Sequence, residues 1–243
     1  DRSVDMIFTD PPYGHNHNNG DLIHKREKAL GRSNGYGEDA RPISNDSHEE
    51  ACSLVKWLFS ESNRILYPGS CLCCCCCGGG PDPQFARWSL WMDEILEFKQ
   101  MVVWDKGPMG MGGHYRRSYE TVLVGMKPGA ACRWYDESGK IENIIRPGMV
   151  GKIISGRNIE PNLRRVVVNE NRHPTEKPIS LAAWFIRLHT RPGDLVLDPF
   201  MGSGSTLVAA RAAGCRAIGI EIEERWCEKA AKRLSQQCFA FSS

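Results

Sequence analysis

Two short segments carry residue types whose spacing could do chemistry together. The first is Asp10-Pro11-Pro12-Tyr13-Gly14, which follows the apolar run Val4 to Thr9. Two prolines remove backbone donors and stop a strand, so a rigid loop at a strand end is expected. The Asp10 carboxylate and the Pro11 carbonyl then project as two fixed acceptors. Together they can hold both N–H bonds of an exocyclic amine with its lone pair aimed at an electrophile. Tyr13 offers a face on which an extruded base can stack. Direct transfer to such a nitrogen needs positioning rather than a covalent nucleophile.

The second segment is Asp198-Pro199-Phe200-Met201-Gly202-Ser203-Gly204-Ser205-Thr206, directly after Leu195-Val196-Leu197. Glycines between a strand and a helix let the backbone approach a ligand, and the helix N-terminus favours an anionic group. About twenty residues on, Ala217 to Ile220 reads as a second strand ending in Glu221. An acid there accepts hydrogen bonds from ribose hydroxyls, so the pair suits a ligand with an adenosine moiety. Taken singly, each segment also has a plainer reading as a tight turn.

The elements around these segments alternate. Strands are expected at Val4–Thr9, Cys71–Cys77, Met101–Trp104, Thr121–Val124, Asp194–Leu197 and Arg216–Ile222. Helices are expected at Leu54 to about Leu66, Pro83–Lys99, Leu181–Leu188, Thr206–Ala213 and Glu224 to about Gln236. Tyr67-Pro68-Gly69 breaks the first helix. The run Cys73 to Cys77 reads as a buried strand in which cysteine serves as a small hydrophobe. Strand–helix alternation at both ends of the chain indicates an α/β protein with a doubly wound, parallel sheet. Residues 15–48 are polar and without periodicity, the pattern of a functional or disordered loop.

Both segments resemble the DNA amino-methyltransferase family, with its (D/N/S)-P-P-(Y/F/W) catalytic motif and D-P-F-x-G-S-G cofactor loop. His173-Pro174-Thr175-Glu176-Lys177-Pro178 matches that family's H-P-T-x-K-P stretch. Arg41-Pro42-Ile43-Ser44-Asn45-Asp46 and the stretch from Trp104-Asp105-Lys106 to Glu120 are lesser matches, and the likeness spans essentially the whole chain. The catalytic motif precedes the cofactor loop by about 190 residues, the permuted order of the β class. The resemblance implies a Rossmann-like class I methyltransferase fold, circularly permuted and mostly parallel, of bacterial or phage origin. It implies a catalytic half at 1–126 with a DNA-binding loop at about 14–48, a small target-recognition region at 127–172 and a cofactor half at 173–243. Asp10, Pro11, Pro12 and Tyr13 would be catalytic. S-adenosylmethionine would be held by Asp10, His173, Pro174, Thr175, Lys177, Asp198, Pro199, Phe200, Gly202, Ser203, Gly204, Ser205, Thr206, Glu221 and Ile222. The implied activity is site-specific methylation of adenine N6 in duplex DNA by base flipping. The family pattern has a further strand and an acidic residue before the catalytic strand, and this sequence starts after them. A recognition segment this compact accompanies homodimers, and such an enzyme is expected in the cytoplasm, on DNA.

Rival readings stay open at this stage. Cytosine-N4 methylation is the alternative within the family, although SPPY is the commoner motif for it. An RNA or protein-glutamine methyltransferase usually carries NPPY in the unpermuted order. A binding module with decayed chemistry is the non-enzymatic rival. No cysteine follows a proline, so the nucleophile of cytosine-C5 methylation is missing.

Charge divides unevenly along the 243 residues, whose net charge is +2. From Lys106 to Arg172 there are 12 Lys/Arg against 6 Asp/Glu, and elsewhere 19 against 23. This excess fits either a solvated surface or a face for a polyanion. Lys25, Arg26, Lys28, Arg116, Arg117, Arg164 and Arg165 are the candidate phosphate contacts, with exposed surface the plain alternative. His15 and His17 lack a third ligand, the 11 cysteines show no paired CxxC spacing, and no metal site is expected. Reduced thiols are expected, as are the absence of a signal peptide and of any membrane span.

Overall fold

The central strands are apolar at consecutive positions, and a strand of that kind needs a covering layer on each side. The structure, a computed structural model, describes residues 1–14, 44–76, 84–107, 118–146 and 176–235. Among them are strands β1 (Val4–Thr9), β2 (Leu66–Cys76), β3 (Glu97–Asp105), β4 (Tyr119–Met126), β5 (Ile144–Ile145), β6 (Leu195–Asp198) and β7 (Arg216–Gly219). The helices are α1 (His48–Ile65), α2 (Gln84–Ile95), α3 (Ile179–His189), α4 (Ser205–Ala212) and α5 (Glu224–Ser235). All strands join one sheet in the order β5-β3-β4-β2-β1-β6-β7. Neighbours are parallel except that β4 runs antiparallel to both β2 and β3. The sheet is therefore mixed rather than wholly parallel.

Side chains of β2 alternate between two cores. Cys71, Cys73 and Cys75 join Met6 and Phe8 of β1 against α3 and α4. Leu72, Cys74 and Cys76 join Ile7 against Val55 and Phe59 of α1 and Trp88 and Met92 of α2. Cysteine serves on both faces as a small apolar side chain. Burial pushes the Cys73, Cys74 and Cys75 thiols up, so they stay protonated and inert. Cys77 lies outside the described residues.

Several element bounds differ from the sequence expectations. α1 starts at His48 rather than Leu54. Ser47 is its N-cap, accepting from the Glu50 amide at 3.3 Å and donating to the Glu50 carboxylate at 2.5 Å. This S-x-x-E pattern was legible but lies upstream of the apolar periodicity. Tyr67-Pro68-Gly69 ends α1 yet falls inside β2 as an irregularity, with register jumping from Val4↔Leu66 to Met6↔Cys71. Gly69 sits at φ +82°, and a Cβ there would lie 2.2 Å from the Ala131 carbonyl oxygen. α2 ends at Ile95, and Phe98, inside the helix expected over Pro83–Lys99, lies instead in β3 and pairs with Gly125 of β4. The last strand stops at Gly219, short of Ile222.

The residues after β4 are described as far as 146. The 127–135 stretch crosses the start of β2, with the Arg133 amide donating to Gly69 at 2.9 Å and the Tyr135 amide to Leu188 at 2.9 Å. Ile144–Ile145 then extends the sheet beside Val103 and Trp104.

Candidate active site

β1 leads through α1 to β2 along one face of the sheet, whereas β6 leads through α4 to β7 along the other. Where crossovers diverge in this way, the strands' C-terminal ends leave a crevice. Ile7 lies beside Leu197 in the register, so Asp10 and Asp198 are delivered to that crevice side by side. A cleft opens there, lined by Phe8, Asp10, Lys177, Asp198, Phe200 and Ser205 among others.

On the β6 side the site is built mainly of backbone. The Asp198 carboxylate accepts from Thr9 Oγ1 at 2.8 Å and from the Phe200 amide at 3.1 Å. Burial pushes its carboxyl up to about 6, against the opposing pull of Thr206, Thr9 and the Phe200 amide. The Gly202 amide donates to Glu221 Oε2 at 3.0 Å, and the Glu223 amide to Glu221 Oε1 at 2.9 Å. Glu221 thus braces the glycine loop from the end of β7. Gly204 caps α4 at φ +81°, and a Cβ on it would come 2.8 Å from Ala230 Cβ of α5. Arg233 of α5 donates to the Ser203 carbonyl at 3.1 Å and pairs with Glu176 at 3.1 Å. Ser205 Oγ is buried without a hydrogen-bond partner, although it lines the cleft. Ile222 is 74% exposed at the rim beyond Glu221.

On the β1 side the site is built of charges. Tyr13 donates its hydroxyl to Asp10 Oδ1 at 2.6 Å, and Lys177 donates to Asp10 Oδ2 at 2.7 Å. Lys177 also lies 3.5 Å from Glu120, which pairs with Lys106 at 2.7 Å. Burial works against the Lys177 charge, but Asp10 and Glu120 outweigh it and hold the ammonium firmly protonated. Glu120 is partly buried, which raises its carboxyl, yet Lys177 and Lys106 outweigh this and keep it below the usual carboxylate range. Burial pushes the Asp10 carboxyl up, more than Lys177 and Tyr13 pull it down. The Tyr13 hydroxyl is raised well above its ordinary value by burial and by Asp10, so it remains a donor.

Local contacts fix the loop that carries these groups. Gln84 donates to the Tyr13 carbonyl at 3.2 Å, and Trp88 packs at 6.2 Å between ring centroids. The Gly14 amide donates to the buried Asp46 at 2.8 Å.

Of the residues singled out in the sequence, Asp10, Pro11, Pro12, Tyr13, Lys177, Asp198, Pro199, Phe200 and Gly202 to Thr206 meet around this crevice, with Glu221 behind the loop. Lys177 sits on Asp10 and lines the same cleft as the glycine loop. His173, Pro174 and Thr175 lie outside the described residues, as do Lys25, Arg26, Lys28, Arg116, Arg117, Arg164, Arg165, His15 and His17. Sequence reading passed over Gln84, Lys106, Glu120 and Arg233 as site residues. Lys106 and Glu120 bound one of the lesser motif matches, which was the signal available.

Comparisons with known proteins show the family and the fold. A family model described as DNA methylase, of the N6/N4 type, matches residues 4–232. YubD of Escherichia coli (strain K12) is 49% identical over 239 residues, covering 96% of this chain and 82% of that protein. The DNA adenine methyltransferase YhdJ of the same organism is 27% identical over 252 residues, covering 96% and 76%. Among solved structures, the M1.HpyAVI–SAM complex matches with TM-score 0.58 at 24% identity, covering 96% of this chain and 89% of that one. That likeness bears out the Rossmann-like α/β fold.

Proposed function

The chain belongs to the N6/N4 DNA methylase family, and from that premise we propose that it moves a methyl group from S-adenosylmethionine to adenine N6 in duplex DNA. The observation that carries this reading is Asp10-Pro11-Pro12-Tyr13 held beside the Asp198 glycine loop at the switch point of the sheet. YhdJ, an adenine methyltransferase by name, supports adenine over cytosine, as does aspartate at the first position of the motif.

The cleft fits the cofactor. An unsatisfied buried hydroxyl at Ser205, the amide-rich turn at Gly202 to Gly204 and the carboxylate of Asp198 offer donors and an acceptor for a zwitterionic ligand. Asp198, Pro199, Phe200, Gly202, Ser203, Gly204, Ser205 and Thr206 would hold its amino-acid end, with His173, Pro174 and Thr175. Glu221 and Ile222 would meet the ribose and the adenine. When bound, the sulfonium supplies an electrophilic methyl group.

The chain's own residues then hold and orient the amine. Each Asp10 oxygen already accepts one hydrogen bond, and a carboxylate oxygen has a second lone pair free. Asp10 and the Pro11 carbonyl accept the two N6 hydrogens, which turns the lone pair toward the cofactor cleft. Tyr13 holds the base by its ring face while its hydroxyl steadies Asp10. Lys177 fixes the carboxylate from the other side and offsets its buried charge. Methylation leaves a surplus proton on the nitrogen, and the raised affinity of Asp10 suits it to accept that proton. Residues 127–172 would read the target sequence, and Lys25, Arg26, Lys28, Arg116, Arg117, Arg164 and Arg165 would contact phosphates. A cytoplasmic homodimer completes the proposed setting.

The test is methyl transfer from isotopically labelled S-adenosylmethionine to duplex DNA, followed by digestion to nucleosides and mass spectrometry. Label in N6-methyl-2′-deoxyadenosine is expected. Label in N4-methyl-2′-deoxycytidine would overturn the choice of base, and label in neither would overturn the enzyme reading.

A further inference from the structure

At the opposite end of the strands from Asp10, three potential metal ligands from distant parts of the chain converge. Cys71 lies in β2 beside Met6, Cys132 lies in the stretch that crosses the start of β2, and His189 is the last residue of α3. Their ligand atoms all lie within 4.8 Å of one another. The two sulfurs are 3.6 Å apart, close to the edge of about 3.8 Å in a tetrahedron built on metal–sulfur bonds of about 2.3 Å. His189 Nδ1 lies 2.9 Å from the Arg133 carbonyl oxygen. A carbonyl only accepts, so Nδ1 carries the hydrogen and Nε2 keeps its lone pair. Orientation of a histidine by a backbone carbonyl is a recurrent support for a metal ligand. Trp134 holds the same ring edge-on at 5.3 Å between centroids.

The geometry points to a site for a borderline-soft divalent cation of the zinc type, held by Cys71, Cys132 and His189 with solvent at the fourth position. Cys71 and His189 are buried and Cys132 is exposed, which gives the ion an entry path and leaves one side open to water. Binding releases the two thiol protons and forms two metal–sulfur bonds and one metal–nitrogen bond, with no change of oxidation state. The ion would staple the 127–135 stretch to β2 and α3, away from the methyl-transfer cleft. No metal site was expected from sequence, because the three ligands are separated by 61 and 57 positions and only the sheet brings them together. Nothing in this site depends on the methyltransferase reading.

The test uses the full chain, reduced and stripped with chelator, then titrated with Zn²⁺ or Co²⁺. One equivalent of zinc per chain is expected after gel filtration. Cobalt is expected to give thiolate charge-transfer absorption and the visible bands of a tetrahedral ion. Cys132→Ser changes an exposed residue and should keep the circular dichroism of the parent while weakening zinc binding on the order of a hundredfold or more. His189→Ala should weaken it as well and remove nitrogen coordination from the X-ray absorption spectrum. Less than a tenth of an equivalent of bound zinc, on the order expected of adventitious metal, would overturn the proposal. So would binding that survives Cys132→Ser, or a Cys71–Cys132 disulfide formed under mild oxidation in a chain that takes up no metal.

Discussion

The two sides of the crevice solve the same positioning problem by different means. The β6 side holds its shape mainly with backbone: the Gly202 and Glu223 amides on Glu221, a left-handed Gly204 and two hydroxyls on Asp198. The β1 side holds its shape with charge: Lys106, Glu120, Lys177 and Asp10 alternate in sign, and Tyr13 closes the row. A backbone site is broken by a Cβ in the wrong place and is indifferent to salt. A buried charge row is broken by removing one member, because the partners left behind are desolvated and unpaired. The difference matches the tasks proposed for the two sides, a cofactor gripped in many places and an amine held at one carboxylate.

Steric damage to the backbone side should have the larger effect on binding. Gly204→Val places a branched Cβ 2.8 Å or less from Ala230 Cβ at φ +81°, a strain of about 1–3 kcal/mol. Its affinity for S-adenosylhomocysteine should fall on the order of a hundredfold by calorimetry. The maximal rate should largely recover at high cofactor. A variant that binds normally would show that the loop is not shaped by that contact.

Charge damage should do the reverse. Lys177→Met leaves Asp10 and Glu120 buried without their shared cation. The expected loss in kcat is on the order of 10- to 100-fold, with cofactor affinity within a few fold of the parent. Without the ammonium the Asp10 carboxyl rises further, so the acidic limb of the pH–rate profile should move to higher pH. Lys177→Arg, which keeps the charge, should recover part of the rate. Equal losses from both variants would mean that charge is not what matters at this position.

The smallest effect concerns pH and the β6 side alone. Burial raises Asp198 from 3.8 to about 6. Its contribution to stability is therefore fully present below about 3.8 and is lost as pH rises through about 6. Ionised Asp198 suits a cationic amino group, so cofactor affinity should move the other way. It should be about fourfold tighter at pH 7.5 than at pH 5.5, the ratio of ionised carboxylate for a group near 6. Fluorescence titration at the two pH values checks this, and Asp198→Asn should flatten the difference.

Legibility from sequence followed range. β1 matches its expected bounds, Val4–Thr9, because its apolar run is stopped by two prolines. The glycine loop is where expected because strand, glycines and helix are contiguous. Phe98 was misassigned because an apolar residue three positions after Ile95 continues helical spacing as readily as it begins a strand. The antiparallel insertion of β4 carries no local signature at all. The same holds for Lys177 on Asp10 across 167 positions, for Arg233 on Ser203 across 30 and for the Cys71–Cys132 contact across 61. These contacts come from strand order, which no local window contains.

The most direct measurement of this division of labour is a paired one on Asp10→Ala: single-turnover methyl transfer to an adenine-containing duplex, and S-adenosylhomocysteine binding by calorimetry, from one preparation. Transfer should fall on the order of a thousandfold, while binding stays within a few fold of the parent. Transfer at the parent rate, or loss of transfer and binding by the same factor, would contradict the account.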